Sequence, residues 1–345
     1  MALKDAAVSV KDVAALAGVS VGTVSNVLNR PERVSPETRD RVSAAITELG
    51  FVRNESARHL RAGSSRTVGL VVLDVANPFF TDVARGVEDT ASAAGLAVIL
   101  CNTDEKPAKE NSYLDLLEEQ RVRGILITPA DEISDRLTDL RRRGTPVVLL
   151  DRKAAGRDQC SVSVDDRKGG DLAVTHLLDS RHRRIAFVGG PTSIAQVADR
   201  LRGARLAIKR AGLPDGALTV QIMEGLNVAS GRLAIQQLLT MPKRRIPTAV
   251  FCANDLLALG ALQELSHQGV RVPYDMAIVG YDDIDFASAA MVPLSSVRQP
   301  RHQIGRTAAE LLIEEADDTG SHKHRQVVFE PELIVRESST RVRRT

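Results

Sequence analysis

The sequence predicts a small all-α head followed by an α/β body made of two doubly wound parallel-sheet subdomains. Three observations lead there. Residues 9–50 carry three short helical periods, punctuated by Ser, Gly and Pro where helices start and stop. From residue 67 onward, short Val/Ile/Leu runs alternate with helical stretches of about 10–15 residues, the pattern of buried parallel strands and their crossover helices. That alternation occurs in two successive series, which implies two sheets with a cleft between them.

Composition sets outer limits. A chain of 345 residues is long enough for about two domains, and 43% hydrophobic with 26% charged residues excludes a disordered polymer. Lys and Arg number 46 against 44 Asp and Glu, a net charge of +2, so there is no uniformly basic coat. Residues 1–66 nevertheless hold 10 basic and 7 acidic side chains, which concentrates the small excess in the head. Trp is absent and aromatics are 3%, so the core is expected from Ala, Val, Leu and Ile. Cys101, Cys160 and Cys252 are far apart in no C-x-x-C pair, which reads as a reducing compartment without a disulfide framework. No uncharged apolar run reaches about 18 residues, and residues 1–10 lack a signal-peptide core. A soluble cytoplasmic protein is expected.

In the head, Ser9 and Asp12 suit the start of a first helix, and Gly18 suits its left-handed end. Ser20 can cap a second helix over 21–28, with Val24, Val27 and Leu28 on one face. Ser35 and Pro36 open a third, which runs through Val42, Ala45, Ile46 and Leu49 to Gly50. This is a helix-turn-helix arrangement. The second helix turns Val21, Gly22, Ser25, Asn26 and Asn29 away from its apolar face, as a helix in the major groove of DNA would. Periodicity alone fits a three-helix bundle without a ligand equally well.

The residues themselves go further. The run VKDVAALAGVSVGTVSNVLN at 10–29 resembles the headpiece of the lactose-repressor (LacI/GalR) family of bacterial transcription regulators. Matches continue through VSPETR at 34–39, ELGF at 48–51, and Asn54, Ala57, Arg58, Leu60 and Arg61. The resemblance implies a DNA-binding headpiece over 1–53 and a hinge helix with linker over 54–66. It implies that Val21, Gly22 and Asn26 read bases, while Thr23, Ser25 and Asn29, with Ser20 at the helix start, touch phosphates or hold register. Residues 56–61 are too few for a stable isolated helix and could be a plain connector. The resemblance implies instead that two such segments fold together in the minor groove, Leu60 wedging between base steps with Ala57, Arg58 and Arg61 beside it.

In the body, strands are expected at 68–73, 96–100, 124–128 and 146–150, then at 184–189, 219–223 and 248–252. Helices are expected over 80–94, 106–120 and 133–143, then up to 180, and over 200–211, 229–239 and 255–268. The pieces Asn77-Pro78-Phe79-Phe80, Val164-Asp165-Asp166, Arg200-Leu201-Arg202-Gly203 and Ala253-Asn254-Asp255 resemble the same family's periplasmic-binding-protein-like core. This implies an N-subdomain of 67–165 and 294–326, a C-subdomain of 166–293 and 327–340, and a basic tail at 341–345. It also implies an effector cleft in which Asp255 and Arg200 contact the ligand, with Phe79, Phe80, Asp151, Asp165, Gln196, Asn227 and Tyr281 as further candidates. Where many relatives place a stacking aromatic, this chain has Leu226, so Phe79 or Phe80 would supply any platform.

Enzyme signatures are missing. Gly189-Gly190-Pro191-Thr192 lacks the lysine of a phosphate loop, and there is no G-x-S-x-G elbow or H-E-x-x-H helix. His182 reads as part of a solvated turn, and His322 and His324 alone do not make a metal site. Asp282 and Asp283 read as structural or cleft-lining. The expectation is a non-enzymatic repressor without metal or cofactor, a homodimer on pseudopalindromic operator DNA, controlled by a small-molecule effector such as a sugar or related metabolite. The competing readings are a solute-binding protein of transport, a sugar-modifying enzyme and an architectural DNA binder without an effector.

Overall fold

The computed structural model describes residues 8–51, 65–130, 135–318, 320 and 322–340. The chain divides into two compact units, residues 1–64 and 65–345. Ala57, Arg58, Leu60, Arg61 and the basic tail lie outside the described residues.

The head consists of α1 (Val10–Ala17), α2 (Val21–Asn29) and α3 (Pro36–Leu49). Local chemistry sets each boundary. The Ser9 main-chain N–H and hydroxyl both donate to the Asp12 carboxylate, at 2.8 and 2.7 Å. Gly18, at φ 64°, ends α1, and the Val19 N–H returns to the Ala14 carbonyl at 3.0 Å. The Ser20 hydroxyl accepts from the Thr23 N–H at 3.0 Å and so opens α2. Val13, Ala14, Ala17, Val24, Val42 and Ala45 are buried together as a core of their own.

The body has two sheets. The first joins β1 (Thr67–Val72), β2 (Ala97–Asn102), β3 (Ile125–Ile127), β4 (Val147–Leu150), β5 (Ser161–Val164) and β11 (Gln326–Phe329). Their order is β11-β5-β4-β3-β1-β2, with every pair parallel. The second joins β6 (Ile185–Gly189), β7 (Leu218–Ile222), β8 (Ala249–Cys252), β9 (Ala277–Asp282), β10 (Ser295–Arg298) and β12 (Glu332–Ile334). Its order is β12-β10-β9-β8-β6-β7, and only the edge strand β12 runs antiparallel to its neighbour.

Both faces of the central strands are covered, as parallel sheets require. In the first sheet Leu70, Val72, Leu126, Val148 and Leu150 point into one apolar cluster. Val71, Ile125, Ile127, Val147 and Leu149 point into another, as the two-residue period of a strand dictates. α4 (Pro78–Ala93) and α12 (Arg301–Asp317) cover the first face; α5 (Pro107–Glu119) and α6 (Asp135–Arg142) cover the second. Around the other sheet lie α7 (Asp166–Asp179), α8 (Ala195–Arg210), α9 (Val228–Leu239), α10 (Asp255–His267) and the short α11 (Asp285–Ala289).

Glycines let three helix pairs approach backbone to backbone. A Cβ at Gly170 would lie 2.0 Å from the Arg200 carbonyl oxygen, and one at Gly203 would lie 2.0 Å from that of Arg167. Gly86 and Gly305 join α4 to α12 in the same reciprocal way, and Gly231 and Gly260 join α9 to α10.

Two subdomain boundaries differ from those read off the sequence. The expected N-subdomain segment 294–326 takes in β10, which pairs with β9 and β12 and therefore belongs to the second sheet. The expected C-subdomain segment 327–340 takes in most of β11, which pairs with β5 in the first sheet. The chain thus crosses between β10 and α12, and again between β11 and β12, because long-range pairing overrides the local motif edges. α8 begins at Ala195, five residues before the expected start, so Gln196 and Arg200 lie one turn apart on the same helix. His182, expected on a solvated turn, is buried, and its Nδ1 lies 2.9 Å from the Thr248 hydroxyl.

Candidate functional site

On the head, α2 buries Val24 and leaves Val21, Gly22, Asn26 and Asn29 exposed. Val21 is 43% exposed, a high value for an apolar side chain. Short, exposed side chains along one helix face are what a major groove admits. Within this helix the Asn29 amide donates to the Ser25 carbonyl at 2.8 Å, while Thr23 and Ser20 share a hydroxyl contact at 2.9 Å.

In the body, a cleft opens where the strand ends of the two sheets face each other, the usual place for a ligand in such folds. The cleft and its mouth together span about 460 Å³. The two walls touch through side chains at points within it. Leu73, Asn77, Phe79, Phe80, Glu105 and Asp151 line one side; Gln196, Arg200, Leu226, Asn254 and Asp282 line the other.

Arg200 organises the second wall. Its Nε donates to Asp166 Oδ1 and its Nη1 to the Ala253 carbonyl, each at 2.7 Å, and its guanidinium lies 3.7 Å above the Tyr281 ring. Burial works against the charge, but Asp166, Tyr281 and Asp282 outweigh it and hold Arg200 protonated. Three bonds from two side chains span the cleft. The Gln196 side-chain nitrogen donates to the Asp151 carbonyl at 2.5 Å and to its Oδ2 at 3.0 Å. The Asn77 amide donates to Asp282 Oδ2 at 3.3 Å.

The acids here are buried and shifted. Desolvation, with Asp166 adding repulsion, pushes the Asp151 carboxyl well above the usual range. Burial raises Asp282 to about 6, against the opposing pull of Arg200. Asp151 Oδ1 and Gln196 Oε1 are buried with no hydrogen-bond partner. Gln196 Oε1 is suited to accept from a hydroxyl or amine of a small molecule, and the Asp151 carboxyl, held towards its protonated form, to donate through Oδ1.

Of the effector residues expected from sequence, Phe79, Phe80, Asp151, Gln196 and Arg200 line the cleft, the two rings meeting edge to face at 5.0 Å. Asp255 does not. It is 1% exposed, and its carboxylate is engaged by the Ser296 hydroxyl at 2.7 Å and the Ile284 N–H at 2.9 Å. Tyr281 is fully buried beneath Arg200. Asp165 caps α7 through the Lys168 N–H at 2.9 Å, and Asn227 caps α9 through the Ser230 N–H at 2.9 Å. None of these four is among the cleft-lining residues. Sequence reasoning missed Asn77 and Asn254. Both stand before a helix and after an apolar run, the one signal that could have marked them as strand-end residues.

A helix-turn-helix head with a bilobal body closing on a polar cleft defines a ligand-responsive transcription regulator. Residues 65–329 match the periplasmic binding proteins and sugar binding domain of the LacI family, and residues 9–54 match the bacterial regulatory proteins of the lacI family. The HTH-type transcriptional repressor PurR of Photobacterium profundum is 35% identical over 335 residues, covering 96% of this chain and 98% of the relative. The solved complex of transcriptional regulator CelR with cellobiose is 33% identical at a TM-score of 0.70, covering 96% of this chain and 99% of that one. The lac repressor dimer bound to operator and the anti-inducer ONPF is 26% identical at a TM-score of 0.82, covering 97% and 99%.

The chain belongs to the lacI family of bacterial regulatory proteins. It is a DNA-binding transcriptional repressor under small-molecule control. Among the described residues no helix is long and apolar enough to cross a membrane.

Proposed function

We propose that the effector is a polar metabolite bearing hydroxyl or amine groups, a sugar or a close relative, bound beside the Asp151–Gln196 contact, where it meets the free oxygen of each. Arg200, Asn77, Asn254 and Asp282 orient its polar edge, and Phe79 or Phe80 covers its apolar face in place of the ring that Leu226 does not provide. The observation that carries this is the pair of orphaned oxygens, Asp151 Oδ1 and Gln196 Oε1, on the facing walls of the cleft. The CelR–cellobiose complex supports a sugar.

The protein acts in the cytoplasm as a homodimer, each head reading one half of a pseudopalindromic operator through Val21, Gly22 and Asn26. The lac repressor dimer on its operator supports this arrangement. Effector binding alters the angle between subdomains and with it the spacing of the two hinge segments, where Leu60 wedges into the minor groove between Arg58 and Arg61. Linkage makes the coupling reciprocal, so operator changes effector affinity by the same factor.

The test is selection of an operator from random DNA, followed by titration of mono- and disaccharides and nucleobases into the complex. A sugar that shifts operator affinity, and loses that effect in Asp151→Asn, supports the reading. If no small molecule alters operator affinity, the chain is an architectural DNA binder and the effector reading fails.

A further inference from the structure

Far from the cleft, four side chains from three parts of the chain converge. Cys160 precedes β5, Glu315 sits in the last turn of α12, and His322 and His324 precede β11. One donor atom from each lies within 4.8 Å of all the others. Cys160 Sγ is 3.2 Å from His322 Nε2 and 3.7 Å from His324 Nδ1; Glu315 Oε2 is 3.9 and 3.7 Å from the same nitrogens. We infer that this cluster is a structural site for a divalent transition metal, with zinc the natural occupant.

The geometry suits it. Bonds of about 2.0–2.3 Å around a tetrahedral zinc put neighbouring donors about 3.3–3.6 Å apart; the four separations given lie near that range, and all donors within 4.8 Å, so small side-chain rotations complete the shell. The two imidazoles meet at 74° with centroids 5.2 Å apart, so they converge on a common point instead of stacking. The donor set of one sulfur, two imidazole nitrogens and one carboxylate oxygen favours zinc over magnesium or calcium, which take oxygen alone.

Burial supports a closed site. Cys160 is fully buried, and the Glu315 and His322 side chains are each only 13% exposed. Glu315 Oε2 is buried and makes no hydrogen bond, only the longer contacts to the two imidazoles, so a cation between them would satisfy it. The Arg325 N–H donates to Cys160 Sγ at 3.4 Å, the kind of outer contact that supports a metal-bound thiolate. Sequence reading set the two histidines aside because a pair alone does not make a metal site; Cys160 lies 162 positions before His322, a gap that no local motif bridges.

The site sits where β5 and β11 begin, and the other ends of these strands lead into crossings between the subdomains. Metal there staples the end of α12 and the segment before β11 to the first sheet. It acts on stability and lies outside the effector cleft.

The test uses tag-free full-length protein, stripped with chelator and titrated with Co²⁺ and then Zn²⁺. The expected result is one Co²⁺ per chain, with the intense visible bands of four-coordinate cobalt and a sulfur-to-cobalt charge-transfer band that Zn²⁺ abolishes. Cys160→Ser should lose the charge-transfer band, whereas Cys101→Ser and Cys252→Ser should keep it. Zn²⁺ should raise the Tm of the native chain and leave that of His322→Ala/His324→Ala unchanged, while Mg²⁺ and Ca²⁺ do neither. A weak six-coordinate cobalt spectrum, or a charge-transfer band that survives in a folded Cys160→Ser chain, would overturn the assignment. If Cys160→Ser does not fold, His324→Gln decides: unaltered cobalt bands in that variant sink the site equally.

Discussion

The side-chain amide of Gln196 reaches from one half of the core to Asp151 on the other, 2.5 Å from its carbonyl oxygen and 3.0 Å from Oδ2. One donor thus serves two acceptors on the opposite wall, and each partner keeps one oxygen without a bond. On the proposed function, this contact is where effector occupancy and closure of the core would meet.

Gln196→Ala removes that clasp. Hydrogen bonds of this kind are worth about 1–3 kcal/mol, so effector affinity should fall roughly 5- to 150-fold. Calorimetric titration checks it, and binding equal to the native chain's would refute a closing role.

Asp282 gives the core a pH dependence of definite sign. Its carboxyl is raised from 3.8 to about 6, so folding favours the protonated form. That contribution is complete below the unfolded value and disappears as pH climbs through about 6, a change of about 3 kcal/mol at most. The stability of the native chain relative to Asp282→Asn should therefore be greater at about pH 5 than at about pH 7. Chemical denaturation at both values measures it, and a gap independent of pH contradicts the assignment.

Gly170→Ala places a methyl where the Arg200 carbonyl oxygen lies 2.0 Å away, between backbones that have no flexible end to yield. Overpacking of this kind costs about 1–3 kcal/mol or more, and prising α8 from α7 displaces Arg200. A lowered Tm together with a lost effector response is expected. Full response at native Tm would show that the helices can separate freely.

Asn26→Ala trims an exposed side chain and should leave the head folded. Operator affinity should fall by about 1–3 kcal/mol while affinity for scrambled DNA stays constant, because base contacts carry discrimination and phosphate contacts do not. An equal loss on both duplexes would move Asn26 to the backbone-contacting set.

What the sequence discloses is mostly what is decided locally. Ser9, Gly18, Ser20 and Pro36 mark helix ends through contacts a few residues away, and the structure places those ends accordingly. Strands buried on both faces stand out as apolar runs. The cleft is harder, because Asn254 and Asp255 are adjacent in sequence yet only Asn254 faces the opening. Asp255 turns inward to Ser296 and Ile284, partners supplied by distant strands and loops. The same reason hid the membership of β10 and β11: each is only four residues long, β10 with a single apolar residue, and only pairing with β9 and β5 decides. Cys160 and Glu315 belong together solely through tertiary contact.

The reciprocal glycine contacts between α7 and α8, α9 and α10, and α4 and α12 leave no compressible padding between those backbones. Each half of the core therefore behaves as a stiff plank, and bending is confined to the three strips of chain that pass from one sheet to the other. A displacement of a few tenths of an ångström at the Asp151–Gln196 seam is then not absorbed nearby but swings the whole plank, as a crank turns small travel at its pivot into larger travel at its rim.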